Sequence, residues 1–144
     1  MARRRQQPRQ LRGRPLADAV VLDSGALSKA AAGDVRVRAE LAVAEQLGAG
    51  VHVSSVTLTE VLRGHPRDAR VHALLAGVDQ DSVSPELGRA AGELLGRTNR
   101  TDTVEAIVAL TANAAGSRVR LLTGDPGDLR ALTTDMAGVT VVPI

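Results

Sequence analysis

Ala19-Val20-Val21-Leu22-Asp23-Ser24-Gly25-Ala26-Leu27 decides how the rest of the chain is read. Four apolar residues, two of them β-branched, stop at a carboxylate and give way to helix formers, which is the signature of a buried strand handing over to a helix. In a parallel α/β sheet the ligand crevice lies outside the carboxyl ends of the strands, so Asp23 stands where such folds place their chemistry.

Working outward, the same alternation recurs. Residues 26–32 read as a short helix ended by Gly33, and Asp34 caps a second helix to Leu47, with Val37, Leu41, Ala44 and Leu47 or Gly48 on one face. Val51-His52-Val53 is a short strand, followed by a helix from Val56 to Arg63 that His65-Pro66 breaks. A further helix carries Val71, Leu74 and Leu75, and residues 78–83 form a weak third strand. Ser84-Pro85-Glu86 opens a helix with a cap, a first-turn proline and a favourable charge. Asp102-Thr103-Val104-Glu105 opens another, ending at Gly116. Val119-Arg120-Leu121-Leu122 is a strand, Thr123-Gly124-Asp125-Pro126-Gly127-Asp128-Leu129 turns into a short helix, and Val139–Val142 is the last strand. Five strands interleaved with helices predict an α/β fold, a mainly parallel sheet covered on both faces with right-handed crossovers.

Composition narrows the chemistry. The 144 residues suit one domain, and the 44% hydrophobic content includes no Phe, Tyr or Trp, so Leu, Val, Ile and Ala fill the core and nucleobase stacking on aromatic rings is excluded. With no cysteine there are no disulfides and no thiolate metal sites, which fits a reducing, cytoplasmic setting. No stretch reaches transmembrane length and no apolar segment follows the N-terminal arginines, so neither a membrane span nor a secretory signal is expected.

Six of the eighteen basic residues (Arg3, Arg4, Arg5, Arg9, Arg12 and Arg14) lie in the first fourteen positions, beside no acid. Without them 12 bases face 16 acids, a net of −4. Residues 1–15 are therefore expected to be a basic disordered tail, either a solvated leader or an electrostatic arm for a polyanion, with one domain from 16 to 144.

Six acids fall at or near points where strand or loop becomes helix: Asp23, Glu60, Asp102, Glu105, Asp125 and Asp128. Most have a structural reason to be there. Asp102 and Glu105 have capping-box spacing, Asp125 before Pro126 suits an N-cap with Asp128 as its third-position partner, and Asp23 suits a cap on the helix from Ser24. Glu60 shares a helix face with Val56, which predicts that it points inward toward the sheet. The ends of strands one, two and four lie together in a doubly wound sheet. Carboxylates gathered there repel, so either their pKa values rise or a hard cation sits among them. Oxygen-only ligation selects Mg²⁺ or Mn²⁺. A phosphoacceptor receiver domain would need a lysine after Thr123, and a dinucleotide site would need G-x-G-x-x-G after the first strand; neither is present. His52, His65 and His72 form no metal motif.

Four segments in order, Val20-Val21-Leu22-Asp23-Ser24-Gly25-Ala26-Leu27, Val53-Ser54-Ser55-Val56-Thr57-Leu58-Thr59-Glu60-Val61-Leu62-Arg63-Gly64, Thr101-Asp102-Thr103-Val104-Glu105-Ala106-Ile107, and Leu121-Leu122-Thr123-Gly124-Asp125-Pro126-Gly127-Asp128-Leu129, make residues 19–144 similar to the PIN-domain ribonucleases, and among them to the VapC-like toxins of toxin–antitoxin pairs. The resemblance implies a PIN-like three-layer α/β/α nuclease domain. It implies a Mg²⁺ or Mn²⁺ site on Asp23, Glu60, Asp102 or Glu105, and Asp125, with Thr123 and Asp128 in support. It further implies an RNA substrate, a homodimer and a cognate antitoxin. Glu105 departs from the pattern, standing where the family usually has aspartate. Arg63, Arg67, Arg70, Arg97 and Arg100 are candidates for phosphate contacts. The alternative is a catalytically impaired PIN-like domain that binds RNA or a protein, its acids serving as caps.

Overall fold

Ala19–Leu22 forms strand β1, buried on both faces, and the rest of the molecule is laid down on either side of it. The computed structural model describes residues 17–144; the expected tail lies outside them. In chain order follow α1 (Ser24–Ala32), α2 (Val35–Leu47), β2 (Gly50–Ser54), α3 (Ser55–Val61), a 3₁₀ turn (Pro66–Asp68), α4 (Ala69–Leu75), β3 (Asp79–Asp81), α5 (Pro85–Thr98), α6 (Thr103–Ala115), β4 (Val119–Thr123), α7 (Pro126–Leu132) and β5 (Val139–Pro143). The sheet order is β3-β2-β1-β4-β5 and every pairing is parallel. The sheet is thus wholly parallel, and the expected number and order of elements hold.

The period of two along β1 divides the core. Ala19 and Val21 face a layer built from α5, α6 and α7 with Leu94, Ile107, Val108 and Leu129. Val20 and Leu22 face the opposite layer, formed by α1, α2 and α4 with Leu27, Val37, Val71 and Leu75. This is the three-layer arrangement that strands buried on both faces require. On the second face the Arg120 side chain leaves β4 and donates from Nε and Nη2 to the two Glu40 carboxylate oxygens of α2, at 3.0 and 2.9 Å. That bidentate pair ties sheet to helix where an apolar residue would otherwise stand.

α3 differs from its neighbours. Its Val56 packs in the first layer, while Leu58 and Val61 pack in the second, so the helix lies across the carboxyl end of β2 instead of along one face. The expected helix faces fail at two places. Leu47, one of the two residues expected to end the core stripe of α2, is 40% exposed at the last turn, and Glu60 is exposed where an inward direction was expected. For Glu60 the cause is the position of α3, since a helix crossing a sheet edge has only part of its Val56 face against protein. No helix among the described residues is long and apolar enough to cross a membrane.

Candidate metal and active site

The carboxyl ends of β1 and β4 are adjacent, with Leu22 opposite Leu122, and each is followed by a turn that carries acids. Asp23 continues β1 through its N–H to the Leu122 carbonyl (3.1 Å), and its Oδ1 accepts from Ala26 N at 2.8 Å. It is therefore a true N-cap whose remaining oxygen takes no part in that bond. At Gly25 the start of α1 approaches the β4–α7 turn closely: a Cβ there would lie 3.4 Å from Gly124 N, in contact with the turn backbone. Beneath the turn, the buried Thr123 hydroxyl accepts from Asp125 N at 2.9 Å. The Asp125 side chain makes no capping bond, which corrects the expected N-cap and leaves its carboxylate exposed.

α6 supplies the centre of the arrangement. Asp102 Oδ1 accepts from Glu105 N at 2.9 Å, the first arm of the expected capping box. The second arm is missing, because Glu105 turns inward instead of back to the cap. Its Oε2 is buried and has no hydrogen-bond partner among the described residues. Such an atom is costly unless something neutralises it. Burial first, then the negative charges of Asp102, Asp128, Asp125 and Asp23, push the Glu105 carboxyl up to about 7. Five of the six candidate acids thus share one electrostatic environment; Glu60, exposed on α3, is not among the charges that raise Glu105.

The five do not form a ready ligand set: among the described residues no three acids or histidines stand close enough together to hold a metal ion. The bonds explain why. Asp23 and Asp102 each commit one oxygen to a helix cap, and Asp128 is drawn to Arg100 of the α5–α6 loop by an ion pair. Like-charged groups left without a counter-charge separate in this way. The donor set nevertheless suits a hard cation, since it is all oxygen and centres on a buried carboxylate oxygen that lacks a partner among the described residues. His52 lies apart, on β2, with its Nδ1 3.0 Å from Asp81 Oδ2 of β3. His65 and His72 are exposed.

Three features were not read from the local patterns. The Arg100–Asp128 pair joins residues far apart in sequence. Thr57, fully buried in α3, has a hydroxyl without a partner among the described residues. Asp68 is buried, although it sits in an arginine-rich loop. Only the last left a trace, as a lone acid among cations. A groove of about 630 Å³ between α1, α2 and α4, lined by Ala31, Arg38, Leu41, Arg70 and Leu74 among others, contains none of the candidate acids.

No protein-family model matches the sequence, and no curated protein does. Solved structures match the fold. A chain of the VapBC2 crystal structure from Rickettsia felis, bound to a DNA fragment from the VapBC2 promoter, superposes with a TM-score of 0.67 at 13% identity, covering 88% of this chain and 98% of that one. A chain of a toxin–antitoxin complex from Klebsiella pneumoniae gives 0.66 at 19% identity, covering 88% and 100%. At these identities the likeness shows the fold, and the chain has the PIN-like α/β/α architecture shared with a chain of each of these two toxin–antitoxin structures.

Proposed function

We propose that the protein is a metal-dependent endoribonuclease and the toxin of a toxin–antitoxin pair. The observation that carries the reading is the buried Glu105 Oε2 at the end of a parallel sheet, without a hydrogen-bond partner among the described residues and with the charges of Asp102, Asp128, Asp125 and Asp23 acting on it. Asp23, Glu105 and Asp125 would hold Mg²⁺ or Mn²⁺, with Glu60 completing the set from α3 and Asp102 acting mainly as the α6 cap. The cation, when bound, polarises a phosphodiester and acidifies an attacking water. Asp128, oriented by its ion pair with Arg100, would direct that water or take its proton. Thr123 fixes the backbone from which Asp125 projects. The toxin–antitoxin fold neighbours support a cognate antitoxin as partner, and a homodimer and a cytoplasmic location accord with the same reading.

The full chain incubated with single-stranded RNA should cleave it in Mg²⁺ or Mn²⁺, not in chelator, and Glu105→Gln should lose that cleavage by orders of magnitude. Undiminished cleavage by Glu105→Gln would remove the site. The capping bonds of Asp23 and Asp102, together with the lack of a ready ligand set, favour a second reading, an impaired PIN-like binding domain. In that case titration with either metal would show no saturable binding.

A further inference from the structure

Between Val61 and Val78 the chain carries Arg63, His65, Arg67, Arg70 and His72 against a single acid, Asp68. All five basic side chains belong to exposed residues, whereas Asp68 is only 6% exposed. Its Oδ2 accepts from three successive backbone N–H groups, Arg63 at 2.8 Å, Gly64 at 2.8 Å and His65 at 3.3 Å. Successive amides forming such a concavity constitute an anion-binding nest, and here the chain fills it with its own carboxylate. Gly64, at φ +74°, supplies the left-handed residue that turns the amides inward. The Arg63 N–H above all holds the Asp68 carboxyl below the usual range, so the acid stays ionised and the loop stays pinned. Arg63 is further fixed by its Nη1, which donates to the carbonyls of Thr59 and Leu62.

The one acid of this segment is thus turned inward and engaged by backbone, and the cations outward, on a domain whose balance is otherwise acidic. The segment also begins where α3 leaves the carboxyl edge of the sheet, three residues after Glu60. We propose that the Asp68-pinned loop, with Arg63, Arg67 and Arg70, is a preorganised phosphate-binding surface that leads single-stranded RNA toward the acidic edge. This rests on the ribonuclease reading above. An RNA backbone suits it better than a protein partner because the exposed groups are cationic and charge, unlike aromatic stacking, is what this chain has to offer.

The test is metal-free binding of a single-stranded RNA oligonucleotide to the full chain at several salt concentrations, comparing wild type with the triple variant Arg63→Gln, Arg67→Gln, Arg70→Gln. The slope of log K against log salt should fall by about 2, roughly 0.7 for each phosphate that is no longer neutralised. An unchanged slope overturns the proposal, and an unchanged slope with loss of binding to poly-glutamate would make the surface a protein-facing one instead. Asp68→Ala separates preorganisation from bulk charge: it removes a negative charge, yet should bind RNA several-fold more weakly, whereas Asp68→Asn keeps an acceptor and should bind as well as wild type or better. Tighter binding by both would overturn the preorganised loop. If Asp68→Ala fails to fold, the arginine slope still decides. The two readings fail separately, because a reduced slope in a chain that never cleaves RNA would keep the surface and remove the nuclease, and cleavage with an unchanged slope would do the reverse.

Discussion

The Arg100 guanidinium donates to the Asp128 carboxylate, joining the α5–α6 loop to the first turn of α7. Both side chains are more than a third exposed, so the pair adds little to stability, of order 0.2–1 kcal/mol. Its larger effect is local, because it offsets one of the negative charges acting on Glu105.

Arg100→Ala should therefore leave thermal unfolding nearly unchanged and shift the Glu105 titration further upward, since Asp128 then repels it without compensation. Carboxyl chemical shifts followed against pH would show this. A Glu105 titration that stays in place would mean that Arg100 does not shield the site.

Glu105 also makes stability depend on pH in a defined window. Its carboxyl is raised from the ordinary 4.5 to about 7, so the folded state binds the proton more tightly than the unfolded chain. That contribution is fully present below about 4.5 and is lost as pH rises through about 7. Because the group is only half-buried, solvent screening reduces the effect to the order of 1 kcal/mol. Between pH 5 and pH 8 the wild type should lose more stability than Glu105→Gln, whose neutral amide cannot titrate; parallel losses would contradict the raised value. Metal binding at pH 6 should release a proton, measurable in weakly buffered solution.

Asp23→Asn should abolish cleavage while leaving metal-free stability unchanged or raised, because asparagine still accepts from Ala26 N and one repelling charge is gone. Asp23→Ala loses the cap as well and should cost about 0.5–2 kcal/mol. Normal cleavage by a destabilised Asp23 variant would reduce this residue to its capping role.

Asp102→Asn should retain both stability and cleavage, since its observed bond to Glu105 N is one that asparagine makes equally well. Glu105→Gln should retain stability and lose cleavage. Melting curves and metal-dependent cleavage rates on the two variants assign the third acid, and loss of cleavage in Asp102→Asn would move it to Asp102.

The parts of the fold legible in the sequence are those fixed by local rules. The run from Ala19 to Leu22 had to be a doubly buried strand, and Asp23, Asp34, Ser84 and Asp102 cap the helices their spacing indicated. What escaped depends on distant neighbours. Glu60 was assigned from the periodicity of its helix, but α3 crosses a sheet edge, so a shared face with Val56 does not mean burial. Asp125 has the sequence of a cap and makes no capping bond, and Asp128 is held by an arginine 28 positions away. Glu105 had two defensible roles by spacing; only the packing around it shows that its side chain turns away from the helix start.

The order of strands in the sheet has a bearing on when the acidic edge can assemble during synthesis. β1 is made first, yet one of its two neighbours is β4, with Ala19 opposite Val119, a hundred positions later. Pairings of such long range are slow to form and are absent from a partly made chain. Asp23 therefore cannot share an edge with Asp125 and Asp128 until the β4–α7 turn has left the ribosome. A chain cut short before β4 would carry Asp23, Glu60 and even Glu105 without the β4–α7 turn, and the proposed site would lack two of its acids.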